Sequence, residues 1–395
     1  MIRDECRQLT LHIGLPKAGS STIQKFLHTQ KHQLIRQSLN VPKCLGAFSH
    51  FKLALMFYSS THKPDFLARN NQLISAAERL IFKARLEQQL EQELGDSNIR
   101  RWIISSEFLQ HCLQEHHEIQ SLSLLLGQFF ETINILLYVR SPLEAATSMM
   151  STEVKMGKTH FALEKPEYYN ILCNHQRTIT TWQSAFRPKK LIVRDFNKHK
   201  KENTLIRDFC DLIELDWQED YALSPRANES LTLDGLKIIS SLNKHLKQTK
   251  TRVATRQRFR FIDHVSRNFQ NSEHYTPSLE QTEQFQSYYK ASNDWLKQQS
   301  GIDYTDIQST SLSKQNKPAT YSLDCNQEPT ISEEESLHIW ETWRKNQEIR
   351  TNHQDVTSSQ ASEVQSLAES QASEAQSLAA SAASDTAELI DLAAE

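Results

Sequence analysis

Leu9-Thr-Leu-His12-Ile-Gly14-Leu-Pro16-Lys17-Ala18-Gly19-Ser20-Ser21-Thr22, followed by Ile23, Phe26 and Leu27, is the stretch on which the fold turns. It reads as a short apolar strand, a tight loop of proline and glycine, and a helix whose first turn carries hydroxyls. That order gathers backbone N–H groups, a lysine and a helix N-terminus around one point, which suits a phosphate-like anion.

Working outward, three more apolar runs predict strands, at residues 101–105, 133–139 and 191–193. Helical periodicity covers residues 20–38, 76–94, 115–130, 143–156 and 167–186, and then 203–213, 231–247 and 278–299. Short, fully apolar strands alternating with helices predict a parallel sheet covered on both faces. No strand signal follows Val193, so the second half is expected to be helical. Residues 1–310 read as one α/β domain, 311–335 as a linker and 336–355 as a short helix. Ser332 and Glu335 have capping-box spacing before Leu337, Trp340 and Trp343.

The end of the chain is different in kind. Beyond Arg350 there is no Lys or Arg, whereas eight acids fall between Asp355 and Glu395. Setting them aside leaves 40 acids against 45 bases, so residues 1–350 carry a charge near +5. Gln360–Ala368 recurs at Gln371–Ala379 with an 11-residue period, placing one leucine on the same helix face each time. Residues 356–395 thus form an acidic, Ser/Ala-rich, low-complexity tail. Its apolar stripe is thin, which favours a disordered or transiently helical tail over a coiled coil, with self-association as the other use.

Several classes are disfavoured. No run reaches the ~18 apolar residues of a membrane span. The N-terminus lacks the apolar segment of a signal peptide, and the first strand begins almost at once, so a cytoplasmic protein is expected. The six cysteines show neither CxxC nor CxH spacing, which predicts free thiols and no metal site. No nucleic-acid-binding module accompanies the mildly basic charge, and no such partner is expected.

The loop departs from the ATP/GTP form GxxxxGK[ST]. Gly14 and Gly19 keep the spacing, but Ser20 takes the lysine position and Lys17 sits in mid-loop. A second departure follows the third strand, which ends in Arg140 where a nucleotide hydrolase often places a metal-holding Asp. Arg140-Ser-Pro142 with Ser148 puts an arginine at a strand end and a serine one to two turns into the next helix. Both side chains can reach one further anion. Two anion sites at adjacent strand ends imply a nucleotide phosphorylated at two places.

Here the resemblance is specific. Pro16-Lys17-Ala18-Gly19-Ser20-Ser21 resembles the PKxGTT-type loop of the sulfotransferases, and Arg140-x-Pro-x5-Ser148 resembles their RxPx5S segment. Ser20-Ser21 replaces the commoner Thr-Thr and keeps its hydroxyls. The likeness covers roughly residues 8–300 and implies a P-loop-type parallel sheet flanked by helices. It implies 3′-phosphoadenosine 5′-phosphosulfate (PAPS) as donor and no metal. On it, Lys17, Ala18, Gly19, Ser20, Ser21 and Thr22 hold the 5′-phosphosulfate, and Arg140 and Ser148 hold the 3′-phosphate. Lys17 also neutralises the leaving oxygen. The acceptor it suggests is a hydroxyl of a carbohydrate or glycoconjugate.

An alcohol acceptor needs its proton removed. Glu107, at the end of the second predicted strand, is the candidate base, and capping of the following helix is the competing role. His12 reads as packed within its strand, and Glu153 and His160 as a solvated helix face. The acid-free run 235–262, with Lys237, Lys244, Lys247, Lys250, Arg252, Arg256, Arg258 and Arg260, either flanks an anionic ligand or is simply solvated. Two other functions remain open at this level: a P-loop kinase, and a catalytically silent nucleotide-fold protein that assembles through its repeat tail.

Overall fold

Five parallel strands form one sheet: β1 (Gln8–His12), β2 (Leu39–Asn40), β3 (Arg101–Ser105), β4 (Thr132–Val139) and β5 (Lys190–Asp195), in the order β2-β3-β1-β4-β5. The computed structural model describes residues 7–58, 66–218, 221, 231–305 and 329–347. The acidic repeat and most of the segment read as a linker lie outside those residues. Helices pack against the sheet, so the architecture is the expected α/β one. β4 shows why an unbroken apolar run becomes a strand here: residues 135–139 are all wholly buried, as strands covered on both faces must be.

β1 is central and pairs with both β3 and β4, so His12 stands level with Ser105 and Leu136. The chain leaves β1 towards the β3 side and later returns to β4 on the other. The carboxyl ends of β1, β3 and β4 therefore border a topological switch point, where open α/β sheets bind ligands.

Three expected details change. The helix read across residues 20–38 is two, Ser20–Thr29 and Lys31–Arg36, divided at Gln30, which leaves helical geometry at φ −95°, ψ 14°. The pattern over 167–186 divides at Asn174, whose side chain accepts the Arg177 N–H and so starts a fresh helix, His175–Phe186. A further helix, Thr255–Asn268, lies within and beyond the basic run and buries Phe261, Ile262 and Val265.

After β5 the described residues hold helices and one isolated bridge, Thr232–His274. Phe196, Leu205, Phe209 and Leu296 among them belong to the core of the sheet, and beside it lies a second core. It joins Ile238, Ile239 and Leu242 of helix Leu233–Gln248 with Met150, Phe261, Tyr289, Trp340 and Trp343. The two tryptophans lie on a helix over 333–347, opened by the Ser332/Glu335 capping box. Thr330 anchors its approach through both carboxylate oxygens of Asp234, at 2.7 and 2.8 Å. Tyr304 ties the helical half to the sheet edge: its hydroxyl donates to Asp195 Oδ1 at 2.6 Å and lies 3.1 Å from the Val139 carbonyl. Among the described residues no helix is long and apolar enough to cross a membrane.

Candidate functional site

The loop after β1 is shaped by two glycines. Gly14 has φ +53°, and a Cβ there would lie 3.1 Å from Glu107 Cα, so two backbones meet where a side chain will not fit. Gly19, at φ +85°, precedes helix Ser20–Thr29, and its missing Cβ leaves room for Leu205 and Phe196. Lys17 also takes a positive φ, 70°, a conformation costing a non-glycine residue about 1–2 kcal/mol. Two bonds hold it there: Ala18 N–H to the Leu15 carbonyl at 3.1 Å, and Arg140 Nη1 to the Lys17 carbonyl at 2.9 Å. Thr22 and Ile23 turn their N–H groups back to Gly19. Among the described residues those of Gly19, Ser20 and Ser21 meet no acceptor, leaving an electropositive concavity at the helix start.

Arg140 closes one side. Besides the Lys17 carbonyl it holds Glu144 Oε2 at 3.2 Å and lies 5.5 Å over the Phe196 ring. That is the same ring against which Gly19 packs, so loop and guanidinium share one support. The Arg140 carbonyl is held by His175 Nε2 at 2.8 Å. Its Nε is buried and finds no partner among the described residues, a donor available to a ligand. Ser148 is buried on helix Pro142–Met156, two turns beyond.

Glu107 begins helix Glu107–Cys112, yet its carboxylate does not serve as the cap. Oε2 instead accepts from Gln24 Nε2 at 2.5 Å, a bond across to the helix that follows the loop. The preceding residue, Ser106, is wholly buried, and its hydroxyl meets no partner among the described residues. The Lys17 ammonium is pushed down to about 8, chiefly by burial, then by Lys155 and Arg140, with Glu107 opposing. Lys17, Ala18, Gly19, Ser20, Ser21, Thr22, Arg140 and Glu107 thus converge on the strand ends, and Ser148 stands further along the flanking helix.

Two participants had no clear sequence signal. Gln24 is a buried polar residue within an apolar helix stripe, and that anomaly was its one trace. Lys155, seven residues past Ser148, acts electrostatically on the Lys17 ammonium, which spacing along the chain does not show.

Other polar groups settle into structural roles. His12 pairs with Ser105 Oγ at 2.8 Å between the rings of Tyr138 and Phe209, and burial drives it down to about 3, which keeps it neutral. His50 accepts the Ser105 N–H at 2.8 Å and so pins the 41–50 segment to the end of β3. Glu153 and His160 join Lys158 and Glu164 in an ion cluster. Of the basic run, Arg258 turns inward to the Lys155 carbonyl at 3.0 Å, and Lys244 pairs with Glu333. Lys247, Lys250, Arg252, Arg256 and Arg260 are exposed.

No family model and no curated protein matches the chain. Among solved structures, a sulfotransferase from Alicyclobacillus acidocaldarius is similar at 15% identity, over 64% of this chain and 99% of that one, with a TM-score of 0.34. The sulfotransferase domain from the curacin biosynthetic pathway is similar at 14% identity, over 73% of this chain and 98% of its own, with a TM-score of 0.33. That of the Synechococcus PCC 7002 olefin synthase gives 14%, 73%, 97% and 0.26 in the same order.

Proposed function

We propose that the protein is a sulfotransferase that moves the sulfonate of PAPS to a hydroxyl, with a carbohydrate or glycoconjugate as the acceptor class to try first. One observation carries the reading. The guanidinium of Arg140 donates to the carbonyl of Lys17, so the two segments that resemble the sulfotransferase motifs are locked together at adjacent strand ends. A nucleotide with phosphates at both 5′ and 3′ positions is the ligand for which such a pair is suited.

The residues present fit that ligand. The free amides of Gly19–Ser21 and the hydroxyls of Ser20, Ser21 and Thr22 would receive the 5′-phosphate. Arg140 Nε and Ser148 would receive the 3′-phosphate. In the transfer, the acceptor oxygen bonds to sulfur while the bond from sulfur to the bridging oxygen breaks, its electron pair remaining on the departing 3′-phosphoadenosine 5′-phosphate. Lys17 offsets the charge that grows on that bridging oxygen. Glu107, held in place by Gln24, takes the acceptor proton.

Calorimetry with chelator present tests the reading. The bisphosphorylated product is expected to bind at ~1 μM or tighter, and ATP at least about tenfold more weakly. ATP binding that depends on Mg²⁺, with no preference for a 3′-phosphate, overturns the proposal in favour of a kinase. Deleting residues 356–395 leaves nucleotide binding intact on this reading. A screen of hydroxyl acceptors with labelled donor identifies the second substrate.

A further inference from the structure

Arg140 stands at a junction, between the end of β4 and the start of helix Pro142–Met156. Backbone groups at such a junction belong to neither regular set of bonds and ordinarily turn to water. Here side chains take them. His175 Nε2 donates to the Arg140 carbonyl at 2.8 Å, and the Ser141 N–H donates to Asn197 Oδ1 at 3.2 Å.

The second of these bonds is itself held. Asp195 Oδ1 accepts the Asn197 N–H at 2.9 Å and the Tyr304 hydroxyl at 2.6 Å. One carboxylate oxygen thus joins Tyr304 to the residue that receives Ser141. The same hydroxyl lies 3.1 Å from the carbonyl of Val139, the residue before Arg140. Between Asp195 and Asn197 comes Phe196, whose ring lies under the guanidinium at 5.5 Å. Residues 195–197 therefore support the backbone beside Arg140 and its side chain at once. Tyr304 is buried, follows helix Leu279–Ser300, and sets its ring 6.1 Å from that of His175.

An arginine that only neutralised charge would need no such mount. A guanidinium recognises an anion by direction, and a tilt of the corner that carries it moves all its donors together. Nη1 and Nη2 are engaged by the Lys17 carbonyl and Glu144. The buried Nε, without a partner among the described residues, is the donor that has to be aimed. We infer that Tyr304 is a positioning residue for 3′-phosphate recognition: through Asp195 and Asn197 its hydroxyl fixes the corner from which Arg140 meets that phosphate. This rests on the sulfonate-transfer reading and adds to it a selectivity determinant from the helical half, outside both motifs.

The test compares affinities for 3′-phosphoadenosine 5′-phosphate and for adenosine 5′-phosphate by calorimetry, because their ratio reads the 3′-phosphate alone. Tyr304→Phe keeps the ring against His175 and removes one hydroxyl. It is expected to weaken the bisphosphate about 3- to 10-fold and to leave the monophosphate within about twofold. Asn197→Ala removes the bond to Ser141 from a half-buried position and should give the same pattern, which supplies the test independently if Tyr304→Phe does not fold. Tyr275 donates its hydroxyl to Gln281 at 3.0 Å at the other end of helix Leu279–Ser300, about 30 Å along the axis, so Tyr275→Phe should change neither affinity. In an Arg140→Lys background, Tyr304→Phe should add no further loss, since the donor it aims is gone. An equal loss for both nucleotides or an unchanged ratio in either variant, a matching shift in Tyr275→Phe, or a full further loss beside Arg140→Lys overturns the inference. Wild-type protein that binds the two nucleotides alike refutes the sulfonate-transfer reading, and this inference with it; a wild-type preference that survives Tyr304→Phe refutes the inference alone.

Discussion

Raising the pH removes the charge on Lys17 without touching the chain, and the structure sets both the window and the sign. The ammonium falls from an ordinary 10.5 to about 8 because it is buried and faces Lys155 and Arg140, with Glu107 alone opposing. That fall corresponds to roughly 3 kcal/mol by which folding disfavours the charged form. That penalty is fully present below about pH 8. Between about 8 and 10.5 the unfolded chain binds more protons than the folded one, so this residue's contribution to stability rises with pH.

Anion binding should move the other way. The charged fraction of Lys17 drops from about 0.9 near pH 7 to about 0.1 near pH 9, so affinity for 3′-phosphoadenosine 5′-phosphate should fall about tenfold over that interval. Burial pushes the Cys44 and Cys210 thiols up to about 12 and holds His12 near 3 and His50 and His175 near 4, which removes them from the window. The assay is calorimetry at constant ionic strength in buffers of different ionisation enthalpy, which also reads the proton taken up on binding. Lys17→Gln should bind weakly and lose most of the slope. A flat affinity from about pH 7 to 9, or an undiminished slope in Lys17→Gln, refutes the reasoning.

Two further substitutions probe the site. Gly19→Ala combines a left-handed φ with a Cβ placed 2.6 Å from Leu205 Cδ2 and 2.7 Å from Phe196 Cε2, so urea unfolding should show a loss of about 2–4 kcal/mol. A loss below about 1 kcal/mol would contradict that close packing. Glu107→Gln should preserve nucleotide affinity while turnover, with an acceptor found by the screen, drops about 10²–10³-fold. Undiminished turnover would leave Glu107 only its bond to Gln24.

β3 and β4 were legible because they are buried on both faces and therefore spelled in nearly uninterrupted apolar letters, whereas β5, at the edge, is only half-buried. β2, two residues long, has no room for a pattern. Helix Thr255–Asn268 was hidden because its buried stripe is only Phe261, Ile262 and Val265 among arginines. The division at Gln30 was invisible because the apolar periodicity runs on through it; what ends the first helix is a local backbone turn.

The loop itself, Gly14–Thr22, announced a phosphate-like ligand through local order alone: strand, glycine, lysine, glycine, hydroxyls. A backbone turn is a short-range object, and its chemistry is written in consecutive residues. Which groups share the space around it was settled by packing. Register across β1, β3 and β4 brings Glu107 against Gly14, and Phe196 supports both Gly19 and Arg140. Lys155, more than 130 positions from Lys17, comes to act on its charge because the folded chain brings the helix that follows β4 towards the loop. Such proximity is a property of the folded surface, and no spacing along the chain encodes it.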